Sequence, residues 1–449
     1  MTSAERFAKY DVPIPRYTSY PTVPQWHQPP APEDWTASLR RAATQPDAAL
    51  AVYVHVPFCE SLCTFCGCNT IITRDHGREG AYIDTLLAEL DTYIRLVPEL
   101  AQQPFRQLHL GGGTPTFLSS VSLARLIDAI RRRLHVDDDA FEGSIEVDPR
   151  VTSAAQLETL RERGFRRVSM GVQDIDADVQ HLVNRKQPLD LTAHLFAAAR
   201  QLDYASINLD LIYGLPGQTR ESMAVLAREI VALDPDRLAV YGFARVPWIK
   251  PQQRRFRDDQ VPVGADKRAL YEAIREPLLE AGYLEIGMDH FARPSDTLAT
   301  AAAEGRLHRN FMGYTEVHTT TLLGLGVSAI SDTPDCYHQN EKLIGKYTDR
   351  VNAGEIPTHR GHLLSDDDRR RRDAIARLMT TFRVDMRETG VAPAGDTLQT
   401  LVADHVVRID GDVLSVPPEG RPFLRNAAAL FDAYLAPQPD GRPLYSSSV

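Results

Sequence analysis

The chain has few cysteines, no long apolar run and too little positive charge for a nucleic-acid surface. Five cysteines occur in 449 residues, and a chain of this length buries a large core without disulfides. We find no continuous 18-residue apolar run and no signal-peptide core, so we expect a cytoplasmic protein without a membrane partner. The net charge of -10 argues against binding of nucleic acid, which requires a basic stripe.

Four of the five cysteines lie within ten residues, directly after an apolar stretch that is typical of a strand. Cys59, Cys63 and Cys66 have the spacing C-x3-C-x2-C, and Cys68 follows. Structural zinc sites usually combine two separated pairs, and no second pair has that spacing here. Inert buried thiols remain an alternative. Soft thiolates favour an iron–sulfur cluster, and three ligands would leave one iron of a four-iron cluster open.

Strand-like and helix-like segments alternate six times along the first part of the chain. The alternation predicts an α/β fold with a parallel sheet, which is either open or curled into a barrel. The predicted strands are 50–56, 107–110, 144–147, 167–171, 206–211 and 237–242. The predicted helices between them are 82–96, 122–134, 154–163, 191–202 and 222–233.

Polar or glycine-rich segments follow these strands, where barrel enzymes carry their functional groups. The run from Gly111 to Thr116 brings backbone groups close to a ligand or forms a plain tight turn. Glu146, at the end of the third strand, accepts ribose hydroxyls or forms a structural ion pair. The fourth and fifth strands end near Gln173 and Asp210.

The C-terminal part has a different pattern, which defines the predicted domains. A helix begins near Leu364 with an acidic first turn, and an Asp-Gly turn at Asp410 predicts a two-stranded hairpin. We therefore predict an N-terminal arm over 1–45 that covers the barrel mouth, a barrel with its extension over 46–360, a small, mainly helical C-terminal domain with a β wing over 361–437, and a disordered tail over 438–449.

The cysteine spacing after the first strand resembles the signature of radical S-adenosylmethionine (radical SAM) enzymes. The resemblance implies an incomplete (β/α)6 barrel. It also implies that the open iron of a [4Fe–4S] cluster binds the amino and carboxylate groups of S-adenosylmethionine, whose reductive cleavage gives a 5'-deoxyadenosyl radical.

Further motifs resemble one branch, the oxygen-independent coproporphyrinogen III oxidases. The motifs are Pro15–Pro21, Cys66–Asn69, Ile286–Ala292, Arg309–Thr315 and Gly324–Ile330. The branch implies oxidative decarboxylation of two propionate groups of coproporphyrinogen III to vinyl groups, giving protoporphyrinogen IX in haem biosynthesis. It also implies two S-adenosylmethionine molecules, a flavodoxin- or ferredoxin-type electron donor and a monomer.

Two other functions within this branch remain open. A related haem chaperone would share the barrel and the cluster, but chaperones generally lack the Cys66-Gly67-Cys68 and Arg16-to-Pro21 motifs. A radical enzyme that opens haem itself is the second alternative, and the sequence excludes it less firmly.

The resemblance also assigns roles to individual residues. Cys59, Cys63 and Cys66 would hold the cluster. The positions expected to hold the cluster-bound S-adenosylmethionine are Tyr53, Gly112, Glu146 and Ile330. The positions expected around the second molecule are Phe65, Gly113, Thr114, Gln173, Arg185, Asp210 and Ala244. This chain departs from the family at Met312, where glutamine is common, which places contacts to the second cofactor or the substrate in doubt.

Cys68 and His290 are the candidate catalytic residues, although packing is an equal interpretation for Cys68. His55 is expected to be a structural imidazole on the same strand face as Tyr53. The candidate cations for the propionates are Arg16, Arg245, Lys250, Arg293 and Arg309, each of which could instead be an ordinary surface charge.

Overall fold

The structure, a computed structural model, describes residues 3–393, 395–435 and 443–448. The strands are β1 (Leu50–Val56), β2 (Phe58–Cys59), β3 (Ile71–Ile72), β4 (Phe105–Gly112), β5 (Glu142–Val147), β6 (Phe165–Gln173), β7 (Ser206–Tyr213), β8 (Arg237–Gly242), β9 (Leu284–Ile286), β10 (His290–Ala292), β11 (His308–Asn310), β12 (Gly313–Thr315), β13 (Thr321–Leu325), β14 (Ile330–Asp332), β15 (Cys336–Asn340), β16 (Thr358–Leu363), β17 (Arg383–Asp385), β18 (Arg408–Asp410) and β19 (Val413–Ser415).

Helices alternate with these strands. The α-helices are α1 (Ser3–Tyr10), α2 (Pro32–Ala43), α3 (Arg78–Leu96), α4 (Ser120–Arg131), α5 (Ala154–Arg161), α6 (Ala177–Leu182), α7 (Leu189–Gln201), α8 (Arg220–Leu233), α9 (Gly264–Glu280), α10 (Thr297–Ala303), α11 (Ile344–Asn352), α12 (Asp366–Thr381), α13 (Met386–Thr389), α14 (Gly395–Ala403) and α15 (Leu424–Ala429). Short 3-10 helices cover Val23–Gln25, Pro98–Gln102, Pro115–Phe117, Pro251–Arg255, Asp258–Gln260 and Pro418–Phe423.

The main sheet has twelve strands in the order β16-β15-β14-β13-β1-β4-β5-β6-β7-β8-β10-β9. Its central strands, β13, β1 and β4 to β8, are parallel to one another. Antiparallel strands extend both sides, and among the described residues β9 and β16 do not pair. The sheet is therefore an open, incomplete barrel, and the six predicted strands all occur with ends within two residues of those predicted.

The strands form because their sequences supply side chains that are buried on both faces. In β1 every residue except Tyr53 is buried, as expected for a parallel strand covered by helices. The helices begin at well-defined caps, such as the capping boxes of α5 at Ser153 and of α8 at Thr219. These caps fix where each strand ends and its helix begins, and so position the loops that form the site.

The C-terminal region contains a separate core. Ile375 and Leu378 of α12 pack there with Leu414 and Phe423. The predicted hairpin is present as β18 and β19, but β17 also pairs with β19, so the wing has three strands where two were predicted. The added strand was missed because its three residues follow directly after the long helix α12 and show no turn signal.

The N-terminal arm and the chain end pack on this second core. Tyr10, Ile14 and Tyr17 belong to the C-terminal core, whereas Trp35 of α2 packs in the barrel core. The sequence predicts a disordered tail over 438–449. Instead, residues 443–448 contact the arm, with Ser447 paired to Pro13, because their backbone carbonyls accept hydrogen bonds from buried Arg425. Residues 438–442 and 449 lie outside the described part. Among the described helices, none is long and apolar enough to cross a membrane.

Candidate active site

The cysteine loop lies at the carboxyl end of β1. The short strands β2 and β3 pair in parallel and bracket the loop between Cys59 and Ile71. Cys59, Cys63 and Cys66 all face one cavity of about 190 Å³, which the carboxyl ends of β4 to β7 also line. The structure therefore brings the three proposed ligands together at the rim where barrel enzymes carry their functional groups.

Each of the three sulfur atoms has polar neighbours. Thr114 Oγ1 lies 3.3 Å from Cys59 Sγ, and the Cys68 N–H donates to Cys66 Sγ at 3.4 Å. The guanidinium groups of Arg185 and Arg150 donate to Cys63 Sγ at 3.5 and 3.6 Å. A side-chain hydrogen bond with Cys68 lowers the pKa of Cys66 to about 6.

This sulfur-rich site fits a cluster better than a single ion. Among the residues that the structure describes, no group of three or more His, Cys, Asp or Glu side chains could hold one metal ion. A four-iron cluster is larger than an ion, so its cysteines stand further apart around a cavity. Thiolates that accept N–H donors are the usual surroundings of such clusters, and the residues present fit one.

The glycines after β4 bring the backbone against the first strand. Gly112 has a φ of 112°, and a Cβ atom there would lie 2.6 Å from the His55 ring. At Gly113 a Cβ atom would lie 2.6 Å from the carbonyl oxygen of Pro57. Both positions therefore require glycine, which leaves the Gly112 and Gly113 backbone facing the cavity.

Glu146 is the carboxylate at the centre of the rim. Its Oε2 accepts a hydrogen bond from the Gly112 N–H at 3.2 Å, and its Oε1 lies 3.5 Å from His109 Nε2. Tyr53 stacks on His109 with ring centroids 5.8 Å apart. Burial alone would raise the pKa of Glu146, but the contacts with His109 and Gly112 outweigh it and lower the pKa. Glu146 is therefore an ionised acceptor.

His55 is buried behind this group. Its Nε2 lies 2.9 Å from the carbonyl oxygen of Asn69, so Nε2 carries the proton, and Nδ1 accepts from the Tyr53 hydroxyl at 3.1 Å. Burial lowers the pKa of His55. The ring thus connects β1 to the end of the cysteine loop, as expected for a structural imidazole.

Arg185 connects the cysteine loop to β5 and β6. Its Nη2 donates to the Gly171 carbonyl at 2.6 Å, and its Nη1 donates to Asp148 at 3.2 Å as well as to Cys63. Asp148 also pairs with Arg150 at 2.6 Å. Burial would raise the pKa of Asp148, but the two guanidinium groups lower it. The two arginines therefore place fixed positive charge beside one proposed cluster ligand.

Asp210 forms the far wall of the cavity. It accepts hydrogen bonds from Ser169 at 2.7 Å and Asn208 at 2.8 Å, and burial raises its pKa to about 6. Gln173 lies nearby on a backbone with a φ of 69°, at the bulge that ends the pairing of β6 with β7.

Most of the predicted site residues line this one cavity. They are Cys59, Cys63, Phe65, Cys66, Cys68, Gly112, Gly113, Thr114, Glu146, Gln173, Arg185 and Asp210. Tyr53, Ala244 and Ile330 do not line this cavity. Gln253 Nε2 donates to the carbonyl oxygens of both Ala244 and Phe65, so it connects these two residues. Gly324 pairs with Tyr53 of β1 and packs against the backbone of Ile330.

His290 lies in a second cavity of about 270 Å³ inside the barrel. The two cavities share the side chains of Glu146, Ser169 and Asp210 as walls. His290 Nδ1 lies 2.7 Å from Asp289. Burial would raise the pKa of Asp289, but the neighbouring His290, Arg309 and Arg16 lower it well below its usual range. Met312 lines the same inner cavity.

Sequence reasoning missed several side chains that shape the site. His109 orients Glu146, Arg150 contacts Cys63, and Ser169 binds Asp210. A usable signal existed for Arg150, because it follows Glu146 and Asp148 directly after a strand. His109 gave no signal, since it lies in the middle of a strand whose other residues are mostly buried.

The candidate cations are not all at the site. Arg293 contacts Ala281 and Asp234 at the amino end of β8, and Arg245 pairs with Asp258 at 2.5 Å. Arg16 donates to Asp289 and to the Gly242 carbonyl, both at 3.2 Å. Lys250 donates to the Cys68 carbonyl at 2.9 Å.

Comparison with known proteins first gives the class. The family model of the radical SAM superfamily matches residues 53–230, a segment that contains the cysteine loop and the strands that line the cavity. The fold and the site together define a radical SAM protein, so the chain carries a [4Fe–4S] cluster and S-adenosylmethionine.

Similarity over nearly the whole chain gives the family. The chain is 42% identical over 446 residues to the oxygen-independent coproporphyrinogen III oxidase of Pseudomonas aeruginosa, covering 96% of each chain. It is 42% identical to that of Escherichia coli, covering 95% of this chain and 94% of the other. The solved coproporphyrinogen III oxidase of Escherichia coli, a radical SAM enzyme, superposes with a TM-score of 0.88 at 41% identity, covering 94% and 98%. The chain belongs to the oxygen-independent coproporphyrinogen III oxidases, which confirms the predicted fold class and family.

Proposed function

We propose that this protein catalyses the oxygen-independent oxidative decarboxylation of two propionate side chains of coproporphyrinogen III to vinyl groups. The observation that carries the proposal is the near full-length likeness to the Escherichia coli oxidase in sequence and fold. A propionate β-carbon offers no acidic proton, so acid–base catalysis is a poor route, and a radical enzyme supplies the alternative. The product is protoporphyrinogen IX, an intermediate of haem biosynthesis.

Cys59, Cys63 and Cys66 hold the cluster in this proposal. The bound cluster and S-adenosylmethionine supply the 5'-deoxyadenosyl radical that removes a hydrogen atom from the propionate. The chain's part is to position the reactants and to exclude side reactions. Glu146 accepts hydrogen bonds from the ribose hydroxyls of this S-adenosylmethionine, and the Gly112 backbone and Ile330 contact the same molecule. Tyr53 supports Glu146 indirectly, because it stacks on His109, which contacts Glu146.

The remaining cavity residues hold a second S-adenosylmethionine in this proposal. Phe65, Gly113, Thr114, Gln173, Arg185 and Asp210 share one cavity, and Ala244 is joined to Phe65 through Gln253. Arg185 and Asp210 provide opposite charges for a sulfonium amino acid. Met312 cannot donate an amide hydrogen bond, so its contact with a ligand is apolar.

Cys68 and His290 are the proposed catalytic residues near the substrate. Cys68 lines the cofactor cavity, and His290 lines the inner cavity that shares walls with it. The arm over 1–45 is proposed to cover the mouth, supported by the contact of Arg16 with Gly242 at the end of β8. The domain limits at 46–360 and 361–437 remain part of this proposal, since α12 begins the second core at Asp366.

The proposed partners follow from the reaction. A flavodoxin- or ferredoxin-type protein supplies the electron that reduces the cluster. Loss of the hydrogen atom and of carbon dioxide leaves one electron for each propionate, which a separate electron acceptor removes. The protein acts as a monomer in the cytoplasm, where thiols stay reduced.

The test is an anaerobic assay of the reconstituted protein with reductant, S-adenosylmethionine and coproporphyrinogen III. We expect 5'-deoxyadenosine together with the divinyl product. Cofactor cleavage without loss of carbon dioxide would contradict the proposed substrate, and haem binding without turnover would favour the chaperone function.

A further inference from the structure

Two cationic residues contact the exposed end of the cysteine loop, and a third lies close enough to one of them to repel its charge. Lys250 Nζ donates to the Cys68 carbonyl at 2.9 Å. On the other side of the loop, Asn69 Nδ2 donates to the backbone carbonyl of Lys342 at 3.1 Å. Arg360 of β16 pairs with Gln339 of β15, which in turn pairs with Ile330 of β14. The three side chains, Lys250, Lys342 and Arg360, are called the cationic rim below.

The charges of the cationic rim repel one another. The pKa of Lys342 is lowered first by desolvation and then by repulsion from Arg360 and Lys250. The carboxylate nearest in sequence, Glu341, is shared by Arg350 at 3.7 Å and His359 at 3.6 Å. None of the ion pairs of the described residues involves the cationic rim. In a chain with a net charge of -10, this is a local excess of positive charge that an anion would relieve.

Apolar side chains lie next to the cationic rim. Ile249, beside Lys250, is 55% exposed, and Leu343, beside Lys342, is 62% exposed. Trp248 is also exposed. A ligand with a broad apolar body and peripheral anions fits such a surface, because the body covers the apolar groups and the anions pair with the cations.

We propose that Lys250, Lys342 and Arg360 bind propionate carboxylates of the tetrapyrrole, namely those that are not at the reacting carbon. This inference rests on the proposed function, which supplies a substrate with four carboxylates. Binding of these remote groups holds the macrocycle over the cysteine loop, so their binding energy orients the propionate that reacts. The cationic rim thus takes the propionate-binding role that the sequence suggested for Arg245 and Arg293. In the structure, these two arginines contact Asp258 and Ala281 instead.

The test measures the KM for coproporphyrinogen III and the uncoupled cleavage of S-adenosylmethionine in Lys342→Gln. Lys342 contacts the cysteine loop only through its backbone in the described structure, so cluster content and uncoupled cleavage should equal those of the wild type. We expect the KM to rise about tenfold, the factor for losing one charge-assisted hydrogen bond. Lys342→Arg keeps the positive charge and should restore the wild-type KM. The KM of the wild type should also rise as the salt concentration rises.

Arg132→Gln is the matched control, because it removes one exposed cation at the end of α4, outside the cationic rim. An unchanged KM in Lys342→Gln would overturn the inference. So would a loss of activity seen only with a protein electron donor and not with a chemical reductant, which would make the cationic rim a docking surface for the donor. If the wild type itself fails to decarboxylate the substrate, the proposed function fails instead.

Discussion

Gly112 fixes the backbone at one wall of the cavity that is proposed to hold S-adenosylmethionine. Its positive φ is poorly tolerated by other residues, and the space of a Cβ atom is taken by the His55 ring. Its N–H also donates to Glu146, so the backbone position and the orientation of the carboxylate depend on each other.

Gly112→Ala should therefore weaken binding of S-adenosylmethionine while sparing the cluster. We expect at least about a tenfold loss of affinity. Backbone strain of about 1–2 kcal/mol and the displacement of the His55 ring both act against the conformation that binds the cofactor. Equilibrium binding to the reconstituted protein measures the effect, and iron content serves as the control. An affinity equal to that of the wild type would show that the close contact at His55 has no role in binding.

Cys68 differs from the three thiols proposed as ligands. It lies at the exposed end of the loop, and its backbone N–H donates to Cys66. Cys68→Ser keeps this backbone contact, so the cluster should form with unchanged iron content. Decarboxylation should fall, because the thiol at the cavity wall is lost.

Cys59→Ser is the contrasting variant, which should lose the cluster and its absorbance. The role of Cys68 would be refuted if Cys68→Ser turned over coproporphyrinogen III at the wild-type rate.

Glu89 joins elements behind the barrel wall. Fully buried in α3, it accepts hydrogen bonds from Tyr347 of α11 at 2.6 Å, Asn340 of β15 at 2.6 Å and the Gly326 N–H at 2.8 Å. Tyr82, two turns earlier on the same face of α3, donates to the His55 carbonyl at 2.7 Å. The end of β13 and the support of His55 thus share one network.

Burial raises the pKa of Glu89 to about 7, and the hydrogen bonds from its neighbours offset this only in part. A carboxyl whose folded pKa exceeds its unfolded value binds more protons when folded. Its stabilising contribution is therefore complete below about pH 4.5, the ordinary pKa of a glutamate, and is lost as the pH rises through about 7.

We expect the free energy of unfolding of the wild type to fall by a few kcal/mol between pH 5 and pH 8, at about 1.4 kcal/mol for each pH unit and group. Glu89→Gln should remove most of this slope. Urea unfolding at several pH values measures it, and the same slope in both proteins would contradict the assignment to Glu89.

At the scale of elements the sequence predicted the alternating region well. Apolar residues recur along its helices with a strong helical period, and the helices begin at clear N-caps such as Ser153 and Thr219. The local sequence signals therefore agree with the fold. Short strands such as β17 depend on tertiary pairing and carry no local signal. The sequence could indicate the cavity proposed for the cofactors, because three cysteines at fixed spacing mark the loop that lines it. The roles of His109 and of the cationic rim depend on contacts between distant segments, which the sequence does not show.

At the scale of the whole molecule, the N-terminal arm and the segment 443–448 pack together on the C-terminal core. Arg425 donates to the backbone carbonyls of Ile14, Pro15, Ser446 and Ser447. The arm therefore belongs to the core of the C-terminal domain as well as reaching the barrel through Arg16. Deleting residues 1–30 would remove Tyr10, Ile14, Tyr17 and Tyr20 from that core and would destabilise the domain.

A point variant separates the contact at the barrel from this structural role. Arg16→Gln removes the ion pair with Asp289, which lies next to His290, and should lower turnover by at least about tenfold through misplacement at the site. The melting temperature should change less than the turnover, because His290 and Arg309 still compensate the charge of the buried Asp289 when Arg16 is lost.

Arg293→Gln provides the control, since it removes the same charge at the amino end of β8. Equal turnover in Arg16→Gln and the wild type would show that the arm has no part in the reaction.

The central claim, radical decarboxylation of a propionate, is tested most directly with coproporphyrinogen III that carries deuterium at the β-carbons of its propionate groups. The reconstituted protein is incubated without oxygen, and the 5'-deoxyadenosine is analysed by mass spectrometry. The account predicts deuterium in 5'-deoxyadenosine together with divinyl product. Unlabelled 5'-deoxyadenosine formed alongside the divinyl product would contradict it.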